Sequence, residues 1–384
     1  MRLFRFALPL FAVLLCAALP ATAAISTSAE HALLMDAESG QVLWEKDGMV
    51  AMPPASMSKL MTLELLFQRL KDGRMKLDDT LPVSERAWRT QGSRSFLQLG
   101  SRVRIEDLIR AVIIQSGNDA CIVLAEGMGG TVEGFVGMMN VRAKQLGYAQ
   151  SHFVNPDGLP DPPGQLMSAL ELAQLARHII TDYQQYYHYF GERDFVWNNI
   201  RQPNRNQVLE NLPGADGLKT GHTDASGYGV TASATRNGQR LILVLNGLRY
   251  PDKNDWFAER LRGEEAARVL ELAFREFRRY TLFKPNEEVG RAPVWGGAAK
   301  DIGLTTGKSL AVTLQVDSRP NMKVKLKYDS PLKAPIYKGK KIGTLTVSAP
   351  DFPGVTVPVY ASETVERTGF FGRIALGVQA IFGL

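Results

Sequence analysis

The chain has 384 residues, 45% of them apolar and 22% charged, with a formal net charge of +6. These values exclude a disordered or low-complexity chain and fit a globular protein with mass for two or three domains and a sizeable core. The charge is uneven: residues 284 to 348 hold twelve Lys or Arg against five Asp or Glu, which suits a lipid or acidic-polymer surface, and no nucleic-acid recognition motif accompanies it.

Arg2 and Arg5 precede an apolar run from Ala7 to Leu19, followed by Pro20 and Ala21-Thr22-Ala23-Ala24. These are the parts of a secretory leader, so residues 1–24 are expected to be removed. An uncleaved anchor helix fits less well, because the apolar core is short for a bilayer. Export leaves Cys121 as the lone cysteine, so no internal disulfide is expected and the thiol is either buried and inert or free. No His or Cys cluster has metal-ligand spacing, and no metal or other cofactor is expected.

His31 to Asp36 and Gln41 to Glu45 flank Glu38-Ser39-Gly40 and read as a hairpin. After Pro53-Pro54-Ala55 comes Ser56-Met57-Ser58-Lys59, which opens a helix-periodic run carrying Leu60, Leu63, Leu66, Phe67 and Leu70. A serine and a lysine three apart share one helix face. With Ser56 in the positive field of the helix N-terminus, the Lys59 amine can reach back to take its proton. Ser-x-x-Lys arises by chance about once or twice in a chain of this length, and Ser330-Pro331-Leu332-Lys333 is a second match in a proline-broken basic stretch.

Residues 80 to 100 are polar and turn-rich and are expected to form a surface loop over other structure. Ile105, Leu108, Ile109, Val112 and Ile113 predict a helix that stops at Ser116-Gly117-Asn118, and a second helix resumes at Asp119. The tripeptide is therefore a tight turn between two buried helices. Further helices fit Val132 to Leu146 and Ser168 to Ile180, separated by a loop rich in Pro, Asp and Gly at 155 to 164.

After Asp216-Gly217 the period changes. Leu218-Lys219-Thr220-Gly221-His222-Thr223 reads as an edge strand, and Tyr228 to Thr235 and Leu241 to Leu248 as strands joined through Asn237-Gly238. Residues 255 to 279 are a long amphipathic helix. The order predicts an α+β domain over 25–281, with one antiparallel sheet assembled from both chain ends and a helical lobe inserted. From Leu282, short strands at Ser309 to Val316, Lys323 to Tyr328, Lys341 to Val347 and Val355 to Tyr360 predict a small β-rich domain over 282–362. In the second of these, alternation sets the lysines on one face and Val324, Leu326 and Tyr328 on the other. Gly303 to Ser309 is one residue short of a phosphate loop. Thr368 to Leu384 carries Phe370, Phe371, Ile374, Val378, Ile381 and Phe382 at helical spacing, and residues 363–384 are expected to form an interfacial amphipathic helix.

Ser-x-x-Lys, Ser-x-Asn and Lys-Thr-Gly occur here in that order, on a helix start, an inter-helix turn and a strand, which is the signature of penicillin-binding proteins and class A β-lactamases. Over nearly all of its mature length the chain resembles the low-molecular-mass penicillin-binding proteins, the serine D-alanyl-D-alanine carboxypeptidases. The resemblance implies a β-lactamase/transpeptidase-like fold and a periplasmic enzyme at the outer face of the cytoplasmic membrane. Such an enzyme removes the terminal D-alanine of peptidoglycan stem pentapeptides and is acylated by β-lactams. It further implies Ser56 as nucleophile, Lys59 as base with its amine pKa lowered by burial and by Lys219, Ser116 as proton relay, and Asn118 as a hydrogen-bond partner of the substrate amide. Lys219 and Thr220 would hold the terminal carboxylate, Gly221 would let the peptide lie against the strand, and the Ser56 and His222 N–H groups would form the oxyanion hole. Arg249 is the first choice for an arginine at the carboxylate, with Arg205 and Arg260 left open. The 155 to 165 loop has Asp157 and Asp161 but no glutamate, which favours a carboxypeptidase over a β-lactamase. A D,D-endopeptidase on the same scaffold and a non-catalytic cell-wall peptide sensor are the other readings.

Overall fold

The computed structural model describes residues 25–370 and Gly372. The expected leader, and the expected terminal helix from Phe371 on apart from Gly372, lie outside the described residues. A five-stranded antiparallel sheet is built from β1 (His31–Asp36), β2 (Val42–Lys46), β3 (Ala215–Thr223), β4 (Gly227–Arg236) and β5 (Gln239–Leu248), in the order β2-β1-β5-β4-β3. Chain-start strands thus pair with strands from far along the chain, as Leu33 does with Val244. Both faces of the sheet are covered, and alternate residues sort to each side. Leu33, Met35, Ile242 and Val244 face the helical lobe, while Ala32, Leu34, Leu241, Leu243 and Leu245 face a single long helix.

The lobe holds α1 (Lys59–Lys71), α2 (Ile105–Ile113), α3 (Asn118–Gly129), α4 (Val132–Gln145) and α5 (Ala169–Asp182); the long helix across the sheet is α6 (Asp255–Glu276). Helix α1 is buried without interruption from Lys59 to Phe67, so it runs through the lobe rather than over it. Its one acid, Glu64, is fully buried and held by Arg142 Nη2 (2.6 Å), Tyr183 OH (3.0 Å) and His178 Nε2 (3.2 Å), the pairing a buried charge requires. Ser56 itself lies in a 3-10 turn, Ala55–Ser58, ahead of α1.

The expected loop at 80 to 100 contains a short helix, Glu85–Arg89, and Thr80–Pro82 paired with Arg102–Arg104. Its later part is pinned by Asp119 at the start of α3. That carboxylate accepts the N–H groups of Ser95 (2.9 Å) and Leu97 (3.1 Å) and its neighbour Ala120 (2.9 Å). The favourable field at the helix N-terminus adds to these bonds.

Strand Phe277–Phe283 follows α6 directly and pairs along its length with Leu310–Gln315, so it crosses the break expected at 281/282. A six-stranded sheet completes the all-β domain around Ile302, Leu304, Leu345, Val347 and Val359. It includes Asp301–Thr305 and Glu288–Trp295, which the sequence pattern had not marked because Gly and Pro interrupt them. On Lys323–Tyr328 the lysines are exposed as expected, but Val324 is exposed too, whereas Leu326 and Tyr328 pack on the core. Val365 and Arg367, placed with the terminal helix by the expected break at 363, instead form bridges with Ile336 and Gly297. Thr313 Oγ1 donates to the buried Asp36 of β1 at 2.7 Å, tying the second core to the first.

Asp119→Asn leaves one acceptor oxygen where two collect three backbone N–H groups. It is expected to lower the unfolding free energy by about 1–3 kcal/mol in a urea titration, whereas Asp161→Asn, at an exposed loop position, should change it by less than about 0.5 kcal/mol. Equal effects would refute the pinning role.

Candidate active site

The 3-10 turn, the α2–α3 turn and the edge strand β3 meet at a cleft of about 350 Å³ lined by Ser56, Ser116, Thr220, Gly221 and His222, among others. Lys59 lies beneath Ser56, fully buried, and its Nζ donates to Ser56 Oγ (2.6 Å), to Asn118 Oδ1 (2.8 Å) and to the backbone oxygen of Asp157. Burial pushes the amine below the ordinary lysine value, and the charge of Arg205 adds to this, against Asp157 and Asp119. Lys219 is buried too and donates to Thr220 O at 3.0 Å. Its amine is lowered first by burial and then by the charge of Lys59.

Each group is held by a different piece of backbone. Gly221 lets β3 press on the serine turn: a Cβ there would lie 2.9 Å from Pro54 O and 3.1 Å from Ser56 N. Ser116 adopts φ of +63°, and a Cβ on Gly117 would lie 2.5 Å from Ser95 Oγ. Asn118 donates its Nδ2 to Gln91 O at 2.7 Å, which leaves Oδ1 for Lys59. The Asp157 carbonyl is aimed by Asn155, whose Oδ1 accepts Gly158 N at 2.7 Å and whose Nδ2 donates to Leu159 O at 2.8 Å. Thr62 Oγ1 fixes the preceding carbonyl, of Pro156, at 2.7 Å.

The expected residues Ser56, Lys59, Ser116, Asn118, Lys219, Thr220, Gly221 and His222 all converge here. The His222 ring stacks on Tyr228 at 3.8 Å, Tyr228 OH donates to Asp255 Oδ1 at 2.7 Å, and burial lowers the imidazole pKa. Arg249 does not join them. It lies half-exposed beyond the end of β5, paired with Glu30 at 3.0 Å and donating to Asp224 O at 3.1 Å, and Arg260 is likewise turned outward to Glu264. The arginines in the cleft are Arg205, whose Nη1 donates to Ser93 Oγ at 2.8 Å, and Arg262, whose Nη2 donates to Arg205 O at 2.9 Å.

Arg262 was not foreseen, although the pattern held a signal. It falls four residues after Ala258 and four before Ala266, on the apolar stripe of α6, and is buried there with its pKa drawn down to about 10 by burial. The Asp157 carbonyl carried no signal, since any residue supplies one. Cys121 is buried, and burial raises its thiol to about 12, which keeps it from forming a thiolate.

Two family profiles match the chain: D-alanyl-D-alanine carboxypeptidase over residues 18–248, and the penicillin-binding protein 5 C-terminal domain over 277–367. D-alanyl-D-alanine carboxypeptidase DacC of Escherichia coli is 38% identical over 95% of this chain and 91% of its own. DacF of Bacillus subtilis is 32% identical over 91% and 89%. Among solved structures, penicillin-binding protein 5 of Haemophilus influenzae superposes with a TM-score of 0.77 at 31% identity, covering 89% of this chain and 98% of that one. Penicillin-binding protein D2 of Listeria monocytogenes in its ampicillin-bound form gives 0.58 at 26% identity, covering 65% and 98%.

If the neutral Lys59 amine is the base for Ser56, acylation of Ser56 by an activated ester should slow as the pH falls through the Lys59 pKa. Burial sets that limb below the ordinary value of 10.5. Lys59→Arg, which stays charged, should lose about 10²–10⁴-fold in rate and show no such limb. A retained limb would refute the assignment.

Proposed function

The chain belongs to the D-alanyl-D-alanine carboxypeptidase family, and we propose that Ser56 is the nucleophile through which it removes the terminal D-alanine of a peptidoglycan stem peptide. The observation that carries this reading is the 2.6 Å contact between Ser56 Oγ and a buried lysine amine. Ser56 Oγ attacks the carbonyl of the penultimate D-alanine while its proton passes to Lys59 Nζ. The oxyanion that forms is received by the Ser56 and His222 backbone N–H groups. Ser116 Oγ hands a proton on to the amide nitrogen, the C–N bond breaks, and D-alanine leaves. Water then adds to the Ser56 ester as its proton passes to Lys59, which returns a proton to Ser56 Oγ as the ester C–O bond breaks and the shortened peptide is freed. Asn118 orients the substrate amide, and the His222 side chain positions rather than titrates.

Thr220, Arg205 and Arg262 hold the terminal carboxylate in this scheme, with Lys219 supplying positive charge behind them. A guanidinium matches a carboxylate with two parallel donors, and both arginines line the cleft, unlike Arg249. Gly221 permits the peptide to run along the edge of β3.

β-Lactams acylate the same serine, and ring opening releases no leaving group, so the adduct persists. The 155 to 165 loop carries no glutamate to serve deacylation, and position 157 offers Lys59 its backbone oxygen instead. This favours a carboxypeptidase over a β-lactamase. The leader-like residues 1–24 and the apolar spacing after Thr368 support action in the periplasm at the outer face of the cytoplasmic membrane, with the basic all-β domain toward its anionic headgroups. Among the described residues no single helix is long and apolar enough to cross a membrane.

Intact-mass analysis after penicillin treatment should show one adduct that peptide mapping places on Ser56 and that Ser56→Ala abolishes. An adduct elsewhere, or none, overturns the reading. For peptide turnover, Arg205→Ala should lower kcat/KM by about 10- to 150-fold, mostly through KM, the loss of a hydrogen bond to a charged group. Arg249→Ala should stay within about threefold, and the reverse order would restore Arg249 to the site.

A further inference from the structure

Resting on the reading of Ser56 as the acylated serine, we propose that Glu259 selects the residue that is released, favouring a C-terminal D-residue whose side chain ends in a positive charge. Helix α6 places Asp255, Glu259 and Arg262 at i, i+4 and i+7, one face of its first two turns, and all three line the cleft. The neighbours of Glu259 there are engaged: Asp255 accepts Tyr228 OH, Arg205 donates to Ser93, and Arg262 donates to the Arg205 carbonyl. Glu259 is half-buried and has no hydrogen bond or ion pair among the described residues.

Its place fixes which part of a substrate it meets. The terminal carboxylate lies against Thr220, Arg205 and Arg262, and the side chain of the same residue leaves the adjoining Cα. Glu259 stands one helical turn from Arg262, on the wall of the cleft that holds that carboxylate. An alanine methyl has no group to pair with a carboxylate, whereas the cleft, at about 350 Å³, is in the size range of sites that enclose whole small molecules. A primary amine on a chain of several methylenes would pair with the Glu259 carboxylate. The same turn exposes Trp256, 64% accessible and edge-on to Phe257 at 4.9 Å, which adds aromatic surface at this end of the helix of the kind that favours cations. The charge of Glu259 also supports the buried Arg262 cation.

The test compares acylated dipeptides ending in D-Ala-D-Ala, D-Ala-D-norleucine and D-Ala-D-lysine, the last two alike in length but differing in charge. The ratio of kcat/KM for the lysine over the norleucine peptide should be about three- to fivefold, the range of a partly exposed ion pair, and should shrink as salt is added. Glu259→Gln should bring it to about one, and Glu259→Asp should retain part of it. A ratio near one in the native enzyme, or one that survives Glu259→Gln, overturns the proposal while turnover of D-Ala-D-Ala leaves the carboxypeptidase reading standing. Release of no terminal residue from any of the three peptides overturns both.

Discussion

The structure depends on how one buried amine is satisfied. Lys59 has three acceptors, Ser56 Oγ, Asn118 Oδ1 and the Asp157 carbonyl, which match the three donors of an ammonium group. When the amine is neutral it has two hydrogens, and the carbonyl and amide oxygens can only accept. They retain those two hydrogens, and the lone pair is left facing the one partner able to donate, the Ser56 hydroxyl. The acceptor set therefore stabilises the charged form in part and also points the neutral form at its task. Removing a lysine charge from water costs several kcal/mol before such compensation, so each of the three contributing segments has to be held rigidly. The Asp119 carboxylate, the Asn155 side chain and the continuous burial of α1 do that holding.

Basic groups also gather beneath the cleft and along its wall. Lys59, Lys219, Arg205 and Arg262 approach one another, and burial lowers the pKa of both lysines and of Arg262. The same environment has different outcomes for the two residue types. An arginine drawn down to about 10 is still charged at neutral pH and can hold a carboxylate. A lysine starts lower and comes within reach of its neutral form, which a base requires. A substrate carboxylate entering beside Arg205 and Arg262 offsets part of the repulsion, so binding relieves a cost already present in the free enzyme.

What could be read in the sequence was whatever local spacing controls. Ser56 and Lys59 are one turn apart, Ser116 and Asn118 share a turn between two periodic helices, and Lys219 to His222 lie on one short strand. Local pattern also yielded α1 to α6 and the strands of the main sheet, and with them the α+β arrangement. The failures are those that tertiary packing decides. Arg249 and Arg205 are indistinguishable by composition; one folds toward Glu30 and the other over Ser93. Arg262 sat on an apolar stripe where a charged residue should have raised the question of what it faces. The hairpin Asp194–Trp197 with Ile200–Pro203 and the strands interrupted by Gly and Pro in the all-β domain have too little periodicity to stand out.

Backbone strain completes the account of why the motif residues stand where they do. Ala55 has φ of +47° and Ser116 of +63°, left-handed conformations that cost a non-glycine residue about 1–3 kcal/mol each. Both adjoin reacting groups, and both are over-determined by their surroundings. The Ala55 carbonyl accepts Ser58 Oγ at 2.9 Å, and Gly158 packs so closely on it that a Cβ would lie 2.1 Å away. Beside Ser116, Gly117 N donates to Ala111 O at 2.9 Å and Asn118 N to Ser93 O at 2.8 Å. A relaxed conformation at either residue would turn its hydroxyl-bearing neighbour, or its own hydroxyl, out of the cleft. The glycines at 158, 117 and 221 are thus part of the catalytic geometry, since they admit the close packing that holds two strained residues and keeps both serines directed at one substrate.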